Sequence, residues 1–472
     1  MKRKRLLLAA ICLIPFSAQA ARTKKIVPPE ETPPVFHVPM GTTSTPLPAE
    51  VTLTLLKRFQ SYNSDVSEDG DVFDPLIHSP KSVRFSPDGK TFYVNCLEGK
   101  TTLVYDASTL KRTAVIEHRF DAADAALFST DPLFPVDRPN ANVFSGSPVE
   151  SDFTHGGRYL WIPYYHRSYD KNSEQPSAVA AVDTRTNQVA GVWPTGILPK
   201  MIAASPDGRW LAVTHWGDNT VGLMDVSSDN LKAAHYVQRF VSGHRLKPSF
   251  NTTEKVDRDH DCGNCLRGTV FTPDGHYLLV ARMGGDCIDV FDTENKTAVG
   301  TVSGMKPNIR HLLLSGDDLI LSANKPGWVQ KASLKEILEK KLAAPGKNVV
   351  VEDWAGAYVG KGARTVAATA DGKYIFACVN EESRVVVVRS SDMKVIASVQ
   401  ADSFPVGMDL SKDGKRLIVT SQGRNLQGGH SVMVFAVDYA SPSPVQPPAV
   451  STATINGATV IPAASTATPS GK

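Results

Sequence analysis

SVRFSPDGKTFYVNCLEGKTTLVYDASTLKRTAVIEH, residues 82–118, holds one complete structural unit. An apolar run meets the turn SPDG, and a second apolar run, KTFYVN, follows it. A short loop then leads to a third run, TTLVYD, and a fourth, RTAVIE. The Asp88-Gly89 pair supplies the positive-φ positions that a tight hairpin needs. The flanking runs are rich in Val, Phe, Tyr and Leu with partial alternation, which is strand patterning. The unit therefore reads as four antiparallel strands, and such a sheet cannot bury its faces alone.

The unit recurs along the chain. SDFTHGGRYLWIPYY begins at Ser151, MIAASPDGRWLAVTHW at Met201, and GTVFTPDGHYLLVARM at Gly268. HLLLSGDDLILSAN follows from His311, TVAATADGKYIFACVN from Thr365, and GMDLSKDGKRLIVTSQ from Gly407. Seven copies stacked around an axis make an all-β fold, a seven-bladed β-propeller of four-stranded antiparallel blades. The last copy has three strands, the third being SVMVFAVD at residues 431–438. VTLTLLKRFQ, residues 51–60, is expected to be its fourth, closing the ring and removing an open edge.

SPDGKTFYVN with TTLVYD, and SPDGRWLAVTHWGDNTVGLMDV, resemble the YVTN-repeat (YncE-like) propellers of bacterial exported proteins. The resemblance spans all seven copies. It implies the propeller fold and leaves function open, because such propellers host binders, surface proteins and a few enzymes.

The chain begins MKRKRLLLAAICLIPFSAQA, a basic start, a short apolar run and a small-residue cleavage pattern. This reads as a secretory signal peptide over residues 1–20, cut after Ala20, and implies a periplasmic or secreted protein. No later segment has the length and apolarity of a membrane helix. Lys2, Arg3, Lys4 and Arg5 carry four positives, so the formal charge falls from +3 to −1 once they are removed. A generic nucleic-acid binder is not implied. Residues 21–50 are rich in Pro and Thr and residues 441–472 in Ser, Thr, Pro and Ala; both read as disordered flanks. The propeller is expected over residues 51–440, as a monomer.

Strand polarity locates the functional face. If each innermost strand runs from the top face to the bottom, every SPDG turn lies at the bottom. The longer insertions, Arg119–Ser147, His166–Pro176, Gln238–Cys265 and Ser333–Lys361, are then expected in top loops, where a rigid frame commonly carries function.

The second position of the seven innermost strands reads Lys81, Val149, Lys200, Arg267, Arg310, Arg364, Val406. Five of seven are basic, so the top rim of the channel is expected to carry a cationic ring. Like charges at one narrow mouth repel, and low-dielectric walls amplify the field. Either top-loop carboxylates such as Asp257, Asp259 and Asp261 offset the ring, or it faces an anionic small molecule or envelope protein partner. The second strands end on the same rim. They bring Tyr164, Tyr165 and His166, His215 and Trp216, then Arg282, Asn324, Asn380 and Gln422, a set suited to an anionic, partly planar ligand.

DRDHDCGNCLRGT, residues 257–269, holds a C-x-x-C pair. Leu266 follows Cys265, so c-type haem attachment lacks its histidine. A thioredoxin-like role expects a helix start, zinc needs two further ligands, and the Asp alternation misses the calcium-loop spacing. The leading reading is a disulfide, Cys262 to Cys265 or one of them to Cys287. No nucleophile elbow is present, and no catalytic or metal residue is assigned. Three functions stay open. The first is a binding or scaffolding propeller. The second is a cofactor-dependent enzyme: a haem-d-one-type oxidoreductase with His215 or His311 as axial ligand, or a lactonase-type hydrolase. The third is a docking platform on the top loops.

Overall fold

The computed structural model describes residues 37–47, 49–247, 257–423 and 429–440. The expected signal peptide and the tail after residue 440 lie outside the described residues. Seven antiparallel sheets form seven blades in a ring, each counted from its innermost strand. Blade one is Pro80–Phe85, Thr91–Cys96, Thr101–Asp106 and Arg112–Glu117. In blade seven the strands Pro405–Leu410, Arg416–Ser421 and Ser431–Tyr439 are completed by Val51–Gln60, whose Val51 lies opposite Tyr439 and Gln60 opposite Ser431. The predicted closure by the first strand is what the structure shows.

Seven apolar cores hold the ring, each filling the gap between two neighbouring blades. Trp161, Val179, Leu211 and Met224 pack between blades two and three. Phe59, Phe92, Tyr105 and Val434 pack between seven and one. Because every blade face is covered by the next blade, the sheets carry Val, Ile and Leu on both faces rather than a clean alternation.

Three expectations are corrected. Residues 37–47, read within a disordered flank, pack against blades six and seven. Thr45 pairs with Ser398, Thr43 with Thr54, and Val38 donates its N–H to the fully buried Asp402 (2.9 Å). The composition concealed these backbone bonds, which need no apolar period. The insertion after Ser333 lies at the bottom, because it joins the third and fourth strands of blade five. Ser333 caps the helix Leu334–Leu342 there, and Leu334 N–H bonds the carbonyl of Asp317 in the bottom hairpin. The chain then adds Asn348–Val350, parallel to the outer strand of blade four, before Ala355–Tyr358 completes blade five. Gln238 belongs to the outer strand of blade three, His235–Val241, so the top insertion there is shorter than expected.

Candidate functional site

Every innermost strand enters from the top with one extra residue. Pro80 pairs with Cys96 and Ser82 with Asn95, so Lys81 has no partner of its own. The same surplus occurs around Lys200, Arg267, Arg310, Arg364 and Val406, and between Pro148 and Asp152 in blade two. A bulge of this kind re-aims a side chain. The fourth positions, Val83, Ile202, Leu312 and Val366 among them, point into the inter-blade cores. Strict alternation would send the second positions there too. The bulge turns them to the axis instead.

A second device accompanies the bulge. Ser79, Leu198, Cys265, Asn308, Gly362 and Phe404, each directly before an innermost strand, have positive φ of 52°, 53°, 50°, 63°, 87° and 60°. Five are not glycine, and each such residue costs on the order of 1 kcal/mol. Their carbonyls accept a bond from Leu97, Trp216, Met283, Asn324, Asn380 and Gln422, respectively. These six acceptor–donor pairs are the rim's repeated joint.

The five predicted cations converge. Burial first, then Arg364, Arg267, Arg310 and Lys200, hold the Lys81 ammonium well below its usual range. Burial likewise pulls Arg310 down, with Arg364 and Arg267 adding to it. Burial pushes Lys200 down to about 7 despite Asp259 beside it.

Two of the five cations are neutralised. Lys200 pairs with Asp259 and lies 3.8 Å from the Trp216 ring and 5.1 Å from Tyr165. Trp216 Nε1 donates to the Asp259 carbonyl (3.1 Å), which fixes the loop on the lysine. Arg267 donates to Glu150 (2.8 Å) and to the Lys200 carbonyl (2.8 Å). The other three cations have no carboxylate within 4.0 Å among the described residues. Among the described residues Lys81 reaches Gln422 (3.3 Å), and Arg310 reaches only the Met283 sulfur (3.7 Å). Arg364 is 4% exposed, lies 5.8 Å from the Phe404 ring, and finds no hydrogen-bond acceptor among the described residues. The Nε donors of Arg267, Arg310 and Arg364 are all buried and unpaired. A buried donor left unmade costs about 1–3 kcal/mol, and more when charged.

The remaining predicted residues divide. Asn324 donates to the Ala363 carbonyl of blade six (2.9 Å), and Asn380 leaves a buried Oδ1 unpaired at the rim. His166 stands near Lys100 and Glu98; burial pushes it down to about 4, and its Nδ1 lacks a partner. Tyr164 turns away to bond His118 (2.9 Å), leaving Tyr165 at the mouth. His215 and Arg282 each stand one position before the rim joint, where they point between strands. His215 is fully buried against Thr195 and Thr220 (2.8 Å to the latter), and burial pushes it down to about 3. It cannot reach the axis, so it is no axial ligand there. Arg282 is paired with Asp289 (2.8 Å). The rim positions in these blades belong to Trp216, as predicted, and to Met283, which the sequence reading did not name. Glu150, which the sequence reading missed, occupies the third position of blade two; a carboxylate beside Val149, where the cation pattern lapses, was the available signal.

Cys262 and Cys265 are bonded to each other, while Cys287 is a buried free thiol like Cys96 and Cys378. The disulfide packs with Tyr165, Trp216 and Met283, so it holds the Asp257–Cys265 loop on the mouth. No helix among the described residues is long and apolar enough to cross a membrane.

A pH dependence follows. The unfolded chain keeps the Lys200 proton up to its ordinary pKa of 10.5, whereas the folded chain releases it near 7. The unfolded state thus binds more protons between these values, and stability rises with pH, by at most about 1.4 kcal/mol per unit for each such lysine. Thermal unfolding in low-anion buffer should show a midpoint rising from pH 7 to 9. Lys200→Met together with Lys81→Met should flatten that rise.

Fold and mouth together define a seven-bladed β-propeller with a cationic axial rim, an architecture suited to binding or scaffolding. No protein-family model matches the chain, and no curated protein matches it. Solved structures do. Hydrazine synthase of Kuenenia stuttgartiensis is similar at 15% identity with a TM-score of 0.51, covering 80% of this chain and 99% of that one. A chain of the mitotic checkpoint complex matches at 10% identity and TM-score 0.53, over 82% and 95%. The Cps50 (Swd1) β-propeller domain of Myceliophteria thermophila matches at 12% and 0.52, over 76% and 96%. At these identities the likeness establishes the fold alone.

Proposed function

We propose that this propeller is an exported binding protein that holds an anionic ligand, or the anionic group of an envelope partner, in the ring of Lys81, Lys200, Arg267, Arg310 and Arg364. The observation that carries the reading is Arg364, a buried guanidinium without an acceptor among the described residues, beside Arg310, whose donors meet only a thioether among them. An oxyanion would satisfy both and offset like charge in a low-dielectric mouth. The strained residues and bulges repeated at the rim support it, since strain collects where geometry serves a function. Export is supported by the leader-like start, the Cys262–Cys265 disulfide and the resemblance to YVTN-repeat propellers.

Thermal unfolding in chloride, phosphate, sulfate or citrate at equal ionic strength tests the reading. A ligand at a hundred times its Kd should add about 2.7 kcal/mol, a gain of several degrees. Arg267→Ala with Arg310→Ala should remove that gain. If the unmodified protein shows no anion-specific gain, the ring is structural and the reading falls.

A further inference from the structure

The ring has a chamber beneath it. The fifth positions of all seven innermost strands, and the third positions in blades two, three, five and six, face a cavity of about 330 Å³ that reaches down to Pro206 at a bottom turn. Its walls differ. On the side of blades seven, one and two, the fifth positions are Asp409, Arg84 and Asp152. These are spent on one another and on backbone: Arg84 donates to Asp152 (2.9 Å), and Asp409 accepts the Phe85 N–H (2.7 Å). On the side of blades three to six, below His311 and Thr365, the wall is Met201, Ala203, Val270, Leu313 and Ala367. Glu150 lines the chamber and also holds Arg267 (2.8 Å), so ring and chamber share a side chain. His311, one residue below Arg310, lines the chamber with a buried Nδ1 that has no partner among the described residues.

Two of the three free cations, Arg310 and Arg364, stand above the apolar side of the chamber, while Lys81 stands above Arg84 on the charged side. Arg310 and Leu313 share one strand, and Arg364 and Ala367 share the next. We infer, resting on the anion-binding reading, that the ligand is amphiphilic. Its oxyanion head lies among Lys81, Arg310 and Arg364, and a short apolar stem descends against Met201, Val270 and Leu313. Lys200 and Arg267 already have Asp259 and Glu150, so the head has three cations left to meet. A bare inorganic anion would leave the apolar wall in contact with water, which burial of a stem relieves. The cavity has room for about ten water-sized groups, which limits the stem to a small body.

The test is calorimetric titration of the full chain with inorganic phosphate and with methyl-, butyl- and hexylphosphonate. Affinity should rise about four-fold per added methylene until the chamber is full. Leu313→Trp, which fills the chamber, should cost hexylphosphonate more than ten-fold. A flat series in the unmodified protein, with phosphate still bound, overturns the stem and leaves the anion site standing. Binding of no member overturns both. A chain-length gain that survives Leu313→Trp in a folded variant puts the stem elsewhere and also overturns the inference.

Discussion

Arg364→Met is expected to make the protein more stable in anion-free buffer and to abolish its stabilisation by anions. The guanidinium is 4% exposed and meets no acceptor among the described residues. Burial first, then Arg267, pull it below its usual range. Replacing a poorly compensated buried charge with an apolar side chain of similar volume stabilises by about 1–4 kcal/mol in comparable cases. Arg267→Met is the internal contrast. That side chain satisfies Glu150 and the Lys200 carbonyl, so its loss leaves a carboxylate unpaired and should destabilise. Thermal unfolding of the two variants, with and without phosphate, should give midpoints that move in opposite directions in the anion-free arm. A fall for both would mean that Arg364 has a protein-side role, and the unfilled-site reading would lose its main support.

Asp402→Ala should cost about 3 kcal/mol or more. This fully buried carboxylate accepts from Val38 N–H (2.9 Å), from Ser431 Oγ (2.6 Å) and from Arg58 (3.4 Å). It thereby ties residues 37–47, the closing strand and the last strand together. Among the described residues Arg58 would keep only Asp71 as its ionic partner, at a side chain 6% exposed. The midpoint should fall by several degrees, and hydrogen exchange should rise first in residues 37–47. Unchanged exchange there would show that the tie is not what holds the segment.

The repeat made the blades, their number and their closure legible, because Asp-Gly turns between β-branched runs specify hairpins locally. It made the ring legible by position, though not by direction. Lys81 and its counterparts face the axis only because a bulge interrupts the alternation, and nothing in PKSVRF or IRHLLL announces a bulge. The same one-residue blindness placed His215 on the rim alongside Trp216, and Arg282 there in place of Met283. The bottom helix Leu334–Leu342 was misplaced for another reason: an insertion's face depends on which two strands it joins, and Ala355–Tyr358, only four residues and three of them Ala or Gly, is too short and too poor in β-branched residues to be recognised as a fourth strand. Glu150 and Asp259 were distinguishable only in space, since which of several acids neutralises a cation is a matter of distance.

The pairing of Val51–Gln60 with Ser431–Tyr439 also has a kinetic meaning. The two strands stand at opposite ends of the propeller's sequence, and joining them costs about 5 kcal/mol of loop-closure entropy. Contacts of such separation make folding slow, and until the final strand is present the first offers an unpaired edge to other chains. The side-chain bonds between blades seven and one, where Gln422 meets Ser79 and Lys81, form only at that moment. A chain clipped before Ser431 would therefore contain every cation of the mouth and lack the closed ring that brings them together.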